Sequence, residues 1–340
     1  MDDLMLEFRK GINQMKKESM IKECFHPNKS ECVPPIKQAH SLQRNGRLSL
    51  IEEEVNGQNC LYTVTSFSSS RKWHIEDFTP VGKKVASTFY GFCGKHDTDV
   101  FEPIENHLFD GSDQHLFLHS YRSFAHSYHS KMQELQLYKS DWETMKRLPK
   151  FKRDGMIAGA QLGLKEIKLE KDFLDDLLLS EKYDGLTYSL FETNEFYPFG
   201  CSSAITPHYT VKNEPLETDL SDTTTPWTSV ILTVIPDKSN SFSILAANPN
   251  SESAIKFIDR IDELDDEKYS LAISTLMTTL AENTFWSPKL WDAMSESAKM
   301  VLRNNARYLF DEFTPPVFPW SSLNLYQQRF TADKLGIVKP

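Results

Sequence analysis

The chain has 340 residues, 39% of them hydrophobic and 25% charged, with a formal net charge of −10. That balance belongs to a globular protein long enough for two domains, and it excludes the fibrous and disordered classes. No run approaches the roughly 18 apolar residues of a membrane span, and Met1–Lys17 lacks the apolar core of a signal peptide, so a cytoplasmic location is expected.

Leu4–Ile21 has apolar residues at nearly helical spacing with basic residues between them, which predicts a short leading helix. Cys24-Phe25-His26-Pro27 and Cys32-Val33-Pro34-Pro35 then form a loop, because the prolines remove backbone donors and restrict their neighbours. After Ala39-His40-Ser41, the stretches Leu48–Ile51 and Cys60–Thr65 are expected to pair as strands. Asn56-Gly57 between them is a strong signal for a two-residue turn, and Cys60 is expected in the core. A linker holding Trp73 and Ala86-Ser87-Thr88-Phe89 leads to Gly91-Phe92-Cys93-Gly94-Lys95-His96-Asp97, with a helix expected just beyond.

Cys93 and His96 stand in C-x2-H spacing, so one tight turn can aim both at the same ion. Cys24 and Cys32 can fill the remaining positions of a tetrahedral zinc site, with His26 an alternative to one of the cysteines. Five unevenly spaced cysteines, Cys201 isolated among them, fit a reducing compartment better than a disulfide framework. A zinc knuckle that opens a helix is the treble-clef arrangement, and such an ion can be a purely structural staple. The bland alternative is buried thiols and a satisfied histidine.

Asp113–Leu148 follows as a long helix capped by Ser112 or Asp113. His115, His119, Arg122 and His126 share one of its faces, as a second metal site, an anion-binding face or ordinary polar residues of an amphipathic helix. Pro149–Arg153 is expected to break the helix, which puts a domain boundary near residue 155. Beyond it come a helix over Leu162–Leu179, strands over 186–191, 203–210, 229–235 and 242–245, and a polar loop over Asp219–Pro226. Helices over Ser251–Ile261, Asp266–Ala281 and Trp291–Phe310 complete the pattern, and the proline-rich Phe313–Trp320 ends it. Trp227, Phe285, Trp286 and Trp291 are expected in the core. The fold class is thus α+β: residues 1–155 a zinc domain with a long helix, residues 156–340 a small antiparallel sheet covered by helices.

Charge separates the halves. Residues 1–150 hold 20 Lys+Arg against 20 Asp+Glu, leaving 18 against 28 for residues 151–340. Phosphate binding needs positive charge, so nucleic acid is expected to meet residues 1–150, and the acidic half, which has no Gly-rich phosphate loop, is a poor surface for it.

The order of His40, hairpin, ligand turn and helix resembles the ββα metal motif of HNH endonucleases. The resemblance implies His40 as the general base toward the attacking water and Asp97 as the ligand of a catalytic Mg²⁺. Ala39 stands where many members carry an acidic ligand, the gap from His40 to Cys93 is long, and Asn45, Asn56 and Asn59 all compete for the middle position. The run from Ala86 to Asp97, with Pro103-Ile104-Glu105 beyond, is similar to an uncharacterised bacterial family over roughly residues 20–140, which implies a bacterial source and no transferable activity. Arg122 and His129 also fall within the R-x4-6-H pattern of HEPN ribonucleases. Three functions therefore stand: a metal-dependent nuclease, expected in bacterial defence; a non-catalytic interaction protein with structural zinc and a protein partner or second copy; and a metal-independent ribonuclease. For His40 and Asp97 the bland alternative is a hydrogen-bonded histidine and a carboxylate favouring a helix N-terminus.

Overall fold

A computed structural model describes residues 17–69, 72–140, 146, 148–217, 226–309 and 317–327. Residues 4–16 of the expected leading helix and all but the last residue of the 219–226 loop lie outside these residues, as does the first half of Phe313–Trp320. The described residues form a mixed α and β structure with seven α-helices and antiparallel sheets. No described helix is long and apolar enough to cross a membrane.

A two-stranded sheet pairs β1 (Ile36–His40) with β5 (Thr88–Cys93), and α1 (Gly94–Asn106) leaves directly from the end of β5. Between them the chain makes β2 (Glu53–Val55), β3 (Gln58–Ser69) and β4 (Lys72–Gly82). The Asn56-Gly57 turn forms as expected, with φ of 53° and 78°, the positive values that a two-residue turn of this hand requires. Its first strand is corrected, however. Leu48–Leu50 is a 3₁₀ turn, and Glu53–Val55 pairs with β3 instead, because Leu48 and Ile51 are buried three residues apart, a helical spacing. The expected linker is likewise strand: Trp73 lies on β4 and Thr88-Phe89 on β5. The strand that ends in His40 therefore pairs across the chain to residues 88–93 and takes no part in the 53–64 hairpin.

Next come α2 (Asp113–Lys139), whose N-cap Ser112 accepts from the His115 backbone N–H, and α3 (Lys150–Leu179). Pro149 opens α3, as suits a residue with no N–H to lose, so the helix expected from Leu162 starts earlier and residue 155 lies inside it. Then follow β6 (Thr187–Thr193), β7 (Phe199–Ile205), β8 (Val230–Pro236), β9 (Ser241–Ala247), α4 (Glu252–Asp262), α5 (Asp266–Thr279), β10 (Thr284–Trp286), α6 (Pro288–Ala293) and α7 (Glu296–Ala306). The strand expected over 203–210 is shifted to 199–205. The helix expected from Trp291 to Phe310 is divided at Ser295, which caps α7.

The large sheet runs β2-β3-β10-β7-β8-β9-β6 with β4 on β3, eight strands in all and larger than the sheet expected from residues 156–340 alone. The extra strands come from the first half and join at β10, where Trp286 pairs with Tyr62. Alternation along β8 serves two cores. Val230, Leu232 and Val234 pack under α4 and α5, while Ile231 packs under α2 and α3 with Phe92, Phe101, Tyr121 and Phe124. A strand buried on both faces reads as a continuous apolar run, which is why 229–235 was legible. Cys60, Phe285, Trp286 and Trp291 are buried as expected, but Trp227 is 38% exposed, its ring edge-on to His208 at the surface.

Candidate functional site

Four side chains expected to share an ion lie together. The ligand atoms of Cys24, Cys32, Cys93 and His96 are all within 4.8 Å of one another, close enough to bind a metal ion. Local structure explains the convergence. Residues 23–25 run beside β5, the Glu23 N–H donating to Tyr90 O and the Phe25 N–H to Gly91 O, which sets Cys24 next to the strand end. Gly91 permits that approach, since a Cβ there would lie 2.3 Å from the Phe89 ring and 2.9 Å from the Phe25 ring. A 3₁₀ turn over Lys29–Glu31 then delivers Cys32, and Lys95 fastens that turn to α1 by bridging Glu31 (2.8 Å) and Asp99 (2.9 Å). Cys93 ends β5 as the N-cap of α1, and His96 sits in the first helical turn.

His96 directs Nδ1 at all three sulfurs, 3.4 Å from Cys24, 3.7 Å from Cys32 and 3.4 Å from Cys93. Its Nε2 is buried without a partner among the described residues, and its ring stacks on His26 at 3.8 Å between centroids. His26 thus packs behind the ligand histidine and does not replace a cysteine. Burial pushes the Cys24 thiol up to about 11. Burial acts the same way on Cys93, but the backbone N–H groups of His96, Val33 and Lys95 outweigh it and hold that sulfur below the ordinary thiol value.

Beside this cluster lies a polar cleft of about 370 Å³, lined among others by His40, Arg44, Asn45, Asp97, Glu105 and Arg122. His40 ends β1 and Asp97 stands in the first turn of α1, so the β1/β5 pairing brings the two expected residues to one cavity. His40 Nδ1 lies 2.9 Å from Ala86 O. A carbonyl only accepts, so Nδ1 carries the proton and Nε2 keeps its lone pair. Burial lowers the His40 pKa to about 4; the Ala86 hydrogen bond opposes this, and the charges of Arg122, Arg44 and Lys83 reinforce it.

Glu105 and Arg122 were not assigned to this site from sequence. The Arg122 guanidinium reaches Glu105 at 2.7 Å and Asp97 at 3.3 Å, and lies over the Phe101 ring at 4.5 Å. Asp97 and Glu105 are about two helical turns apart on α1, a spacing that could have suggested a shared partner. Burial raises the Asp97 pKa, Arg122 opposes the rise and Glu105 adds to it. Removing Arg122 would leave two carboxylates facing each other without a cation. Arg122→Ala is expected to cost about 2 kcal/mol, below the loss for a fully buried pair because water screens Glu105. Urea unfolding at neutral pH measures this, and the deficit should shrink as acid protonates Asp97, whose pKa burial raises.

His129, expected as a companion to Arg122, is occupied elsewhere, its Nε2 donating to Ile21 O at 3.0 Å. His115 lies 3.0 Å from Asp110, and His119 Nε2 is buried without a partner among the described residues. Among the described residues these histidines form no second cluster of metal-ligand type. In comparisons with known proteins, no family model, curated sequence or solved structure matches the chain.

Proposed function

We propose that the chain is an HNH-like nuclease whose cleft acts on phosphodiesters beside a structural zinc site. The observation that carries this reading is the cleft itself: a histidine with its lone pair freed at Nε2 and a helix-borne carboxylate line one polar cavity. In that arrangement His40 Nε2 takes a proton from the attacking water. Arg44, exposed at the rim, supplies positive charge that draws a phosphate toward the base, while the charge of Arg122 is taken up by Asp97 and Glu105. Asp97 and Glu105 offer the oxygen donors that Mg²⁺ takes, and against Arg122 they leave one negative charge to attract a cation. When bound, such an ion would stabilise the charge that develops on the leaving oxygen.

Zinc is the identity that the first cluster's spacing supports. Four ligands arranged tetrahedrally, with Zn–S near 2.3 Å and Zn–N near 2.0 Å, put sulfur and nitrogen about 3.5 Å apart. The three separations from His96 Nδ1 are 3.4, 3.7 and 3.4 Å. Three thiols and an imidazole with no open position suit a structural role.

A pH profile of DNA and RNA cleavage with Mg²⁺ or Mn²⁺ tests the role of His40. The neutral imidazole is the active form, so the rate should stay level through the ordinary histidine range and fall only in more acid solution, where His40, with a pKa of about 4, and Asp97, raised by burial, take up protons. An acid limb that persists unchanged in His40→Ala would show that His40 is not the group observed. The Asp97–Arg122 ion pair favours a second reading, an interaction protein whose zinc is only a staple, since Asp97 already has a cation. Absence of any cleavage with either metal would overturn the first reading.

A further inference from the structure

The large sheet reaches the cleft through a closed set of buried hydrogen bonds. Asn283, just before β10, sets Nδ2 2.9 Å from Ser41 Oγ, 2.6 Å from Ser202 Oγ and 3.0 Å from Ser202 O. Ser202 Oγ donates to Ser41 Oγ at 2.7 Å, and the Asn283 N–H donates to Ser203 Oγ at 3.1 Å. Ser41, Ser202, Ser203 and Asn283 are all buried, so each group left unmatched would be costly, and the set accepts few geometries. The next residue, Leu42, packs close to Gly200 of β7, where a Cβ would come within 3.1 Å of Leu42 Cδ1.

Ser41 follows His40 directly, and its N–H donates to Ser87 O at 2.9 Å. Ser87 is buried with a φ of 57°, a left-handed conformation that a residue bearing a Cβ keeps only where its surroundings enforce it. Its hydroxyl lies 3.4 Å from the Leu42 N–H and 3.3 Å from Leu42 O. The same hydroxyl is 3.4 Å from His40 Nδ1, and the preceding carbonyl, Ala86 O, is the Nδ1 acceptor. Contacts thus run unbroken from Asn283 to the imidazole.

We propose that Asn283 and Ser202, acting through Ser41 and Ser87, are positioning residues for His40, so that the large sheet fixes the orientation and tautomer of the cleft's base. The proposal rests on the nuclease reading for its effect on rate but not for its effect on the ring. Without the Asn283–Ser202 anchor, the Ser41 and Ser87 side chains lose their fixed placement at the end of the β1/β5 ladder, and the Ala86 carbonyl no longer selects the Nδ1–H form.

Nitrogen NMR of the His40 ring in the full chain, beside steady-state cleavage, tests this on Asn283→Ala and the milder Ser202→Ala. The wild type should show the Nδ1–H tautomer. Both variants should show a mixture with Nε2–H and a kcat lowered on the order of tenfold or more, with KM little changed, as expected when geometry alone is lost. Ser202→Thr, which keeps a hydroxyl, should retain the wild-type tautomer. Melting temperature and metal content identify folded variants, and Ser202→Ala decides if Asn283→Ala fails to fold. An unchanged Nδ1–H tautomer in folded Ser202→Ala overturns the proposal. Should the wild type cleave nothing, the nuclease reading fails while the ring nitrogens still decide the positioning role.

Discussion

Purified protein should carry about one zinc per chain, and Cys93→Ser should lose that ion together with the folded state of the β1/β5/α1 unit. Serine nearly preserves the shape of cysteine, so the change removes a thiolate from a fully buried position with little loss of packing. A structural zinc site contributes on the order of 10 kcal/mol, comparable with the 5–15 kcal/mol that holds a typical domain folded. Among the described residues the other ties between the 24–32 loop and the helix are the apolar contact of buried Phe25 with the core that holds Phe101 and the Lys95–Glu31 pair, which is solvent-exposed and of a kind that contributes about 1 kcal/mol or less. Metal analysis and thermal melting of wild type, chelated protein and variant measure the effect. Metal-free wild type with an unchanged melting temperature would rule out zinc as the staple.

His40→Ala should lower cleavage by roughly 10²-fold or more while zinc content stays at the wild-type level. The two sites share α1 but no side chain, because Cys93 and His96 turn to the sulfur cluster and Asp97 turns to Arg122. Asp97→Ala should therefore abolish activity or its Mg²⁺ dependence without releasing zinc. Arg122 would keep Glu105 as a partner at 2.7 Å, so this variant should fold. If His40→Ala reduces activity only in proportion to the folded protein it loses, His40 is not the base.

Local signals made some of this legible in the sequence. The C-x2-H turn, the two upstream cysteines and Asn56-Gly57 each reflect constraints acting over a few residues, and the four ligands do converge. The apolar runs of β8 and β9 and the helix beginning at Ser251 were readable for the same reason, whereas the Ser295 cap of α7 was read through as helix interior. What could not be read depends on distant partners. Ile36–His40 has weak alternation, and its partner Thr88–Cys93 lies beyond three intervening strands. Arg122 fitted a short pattern with His129, but its charge is answered by Asp97 and Glu105 on another helix. Asn283 carries no motif, and its importance arises only where Ser41 and Ser202 meet it.

The junction at β10 has a consequence for the order in which the chain can fold during synthesis. β2, β3 and β4 are neighbours in sequence and can pair soon after they emerge. The rung from Tyr62 to Trp286 must wait for the whole stretch between those two residues. At roughly 5–20 residues per second the wait lasts on the order of ten to forty-five seconds. Throughout that interval Tyr62 lacks the β10 backbone that will pair with it, and the Asn283 anchor beneath Ser41 does not yet exist. The nascent first half therefore presents unpaired strand backbone to the cell until the three residues Thr284–Trp286 arrive, and chaperones that bind such segments have their best access in that window.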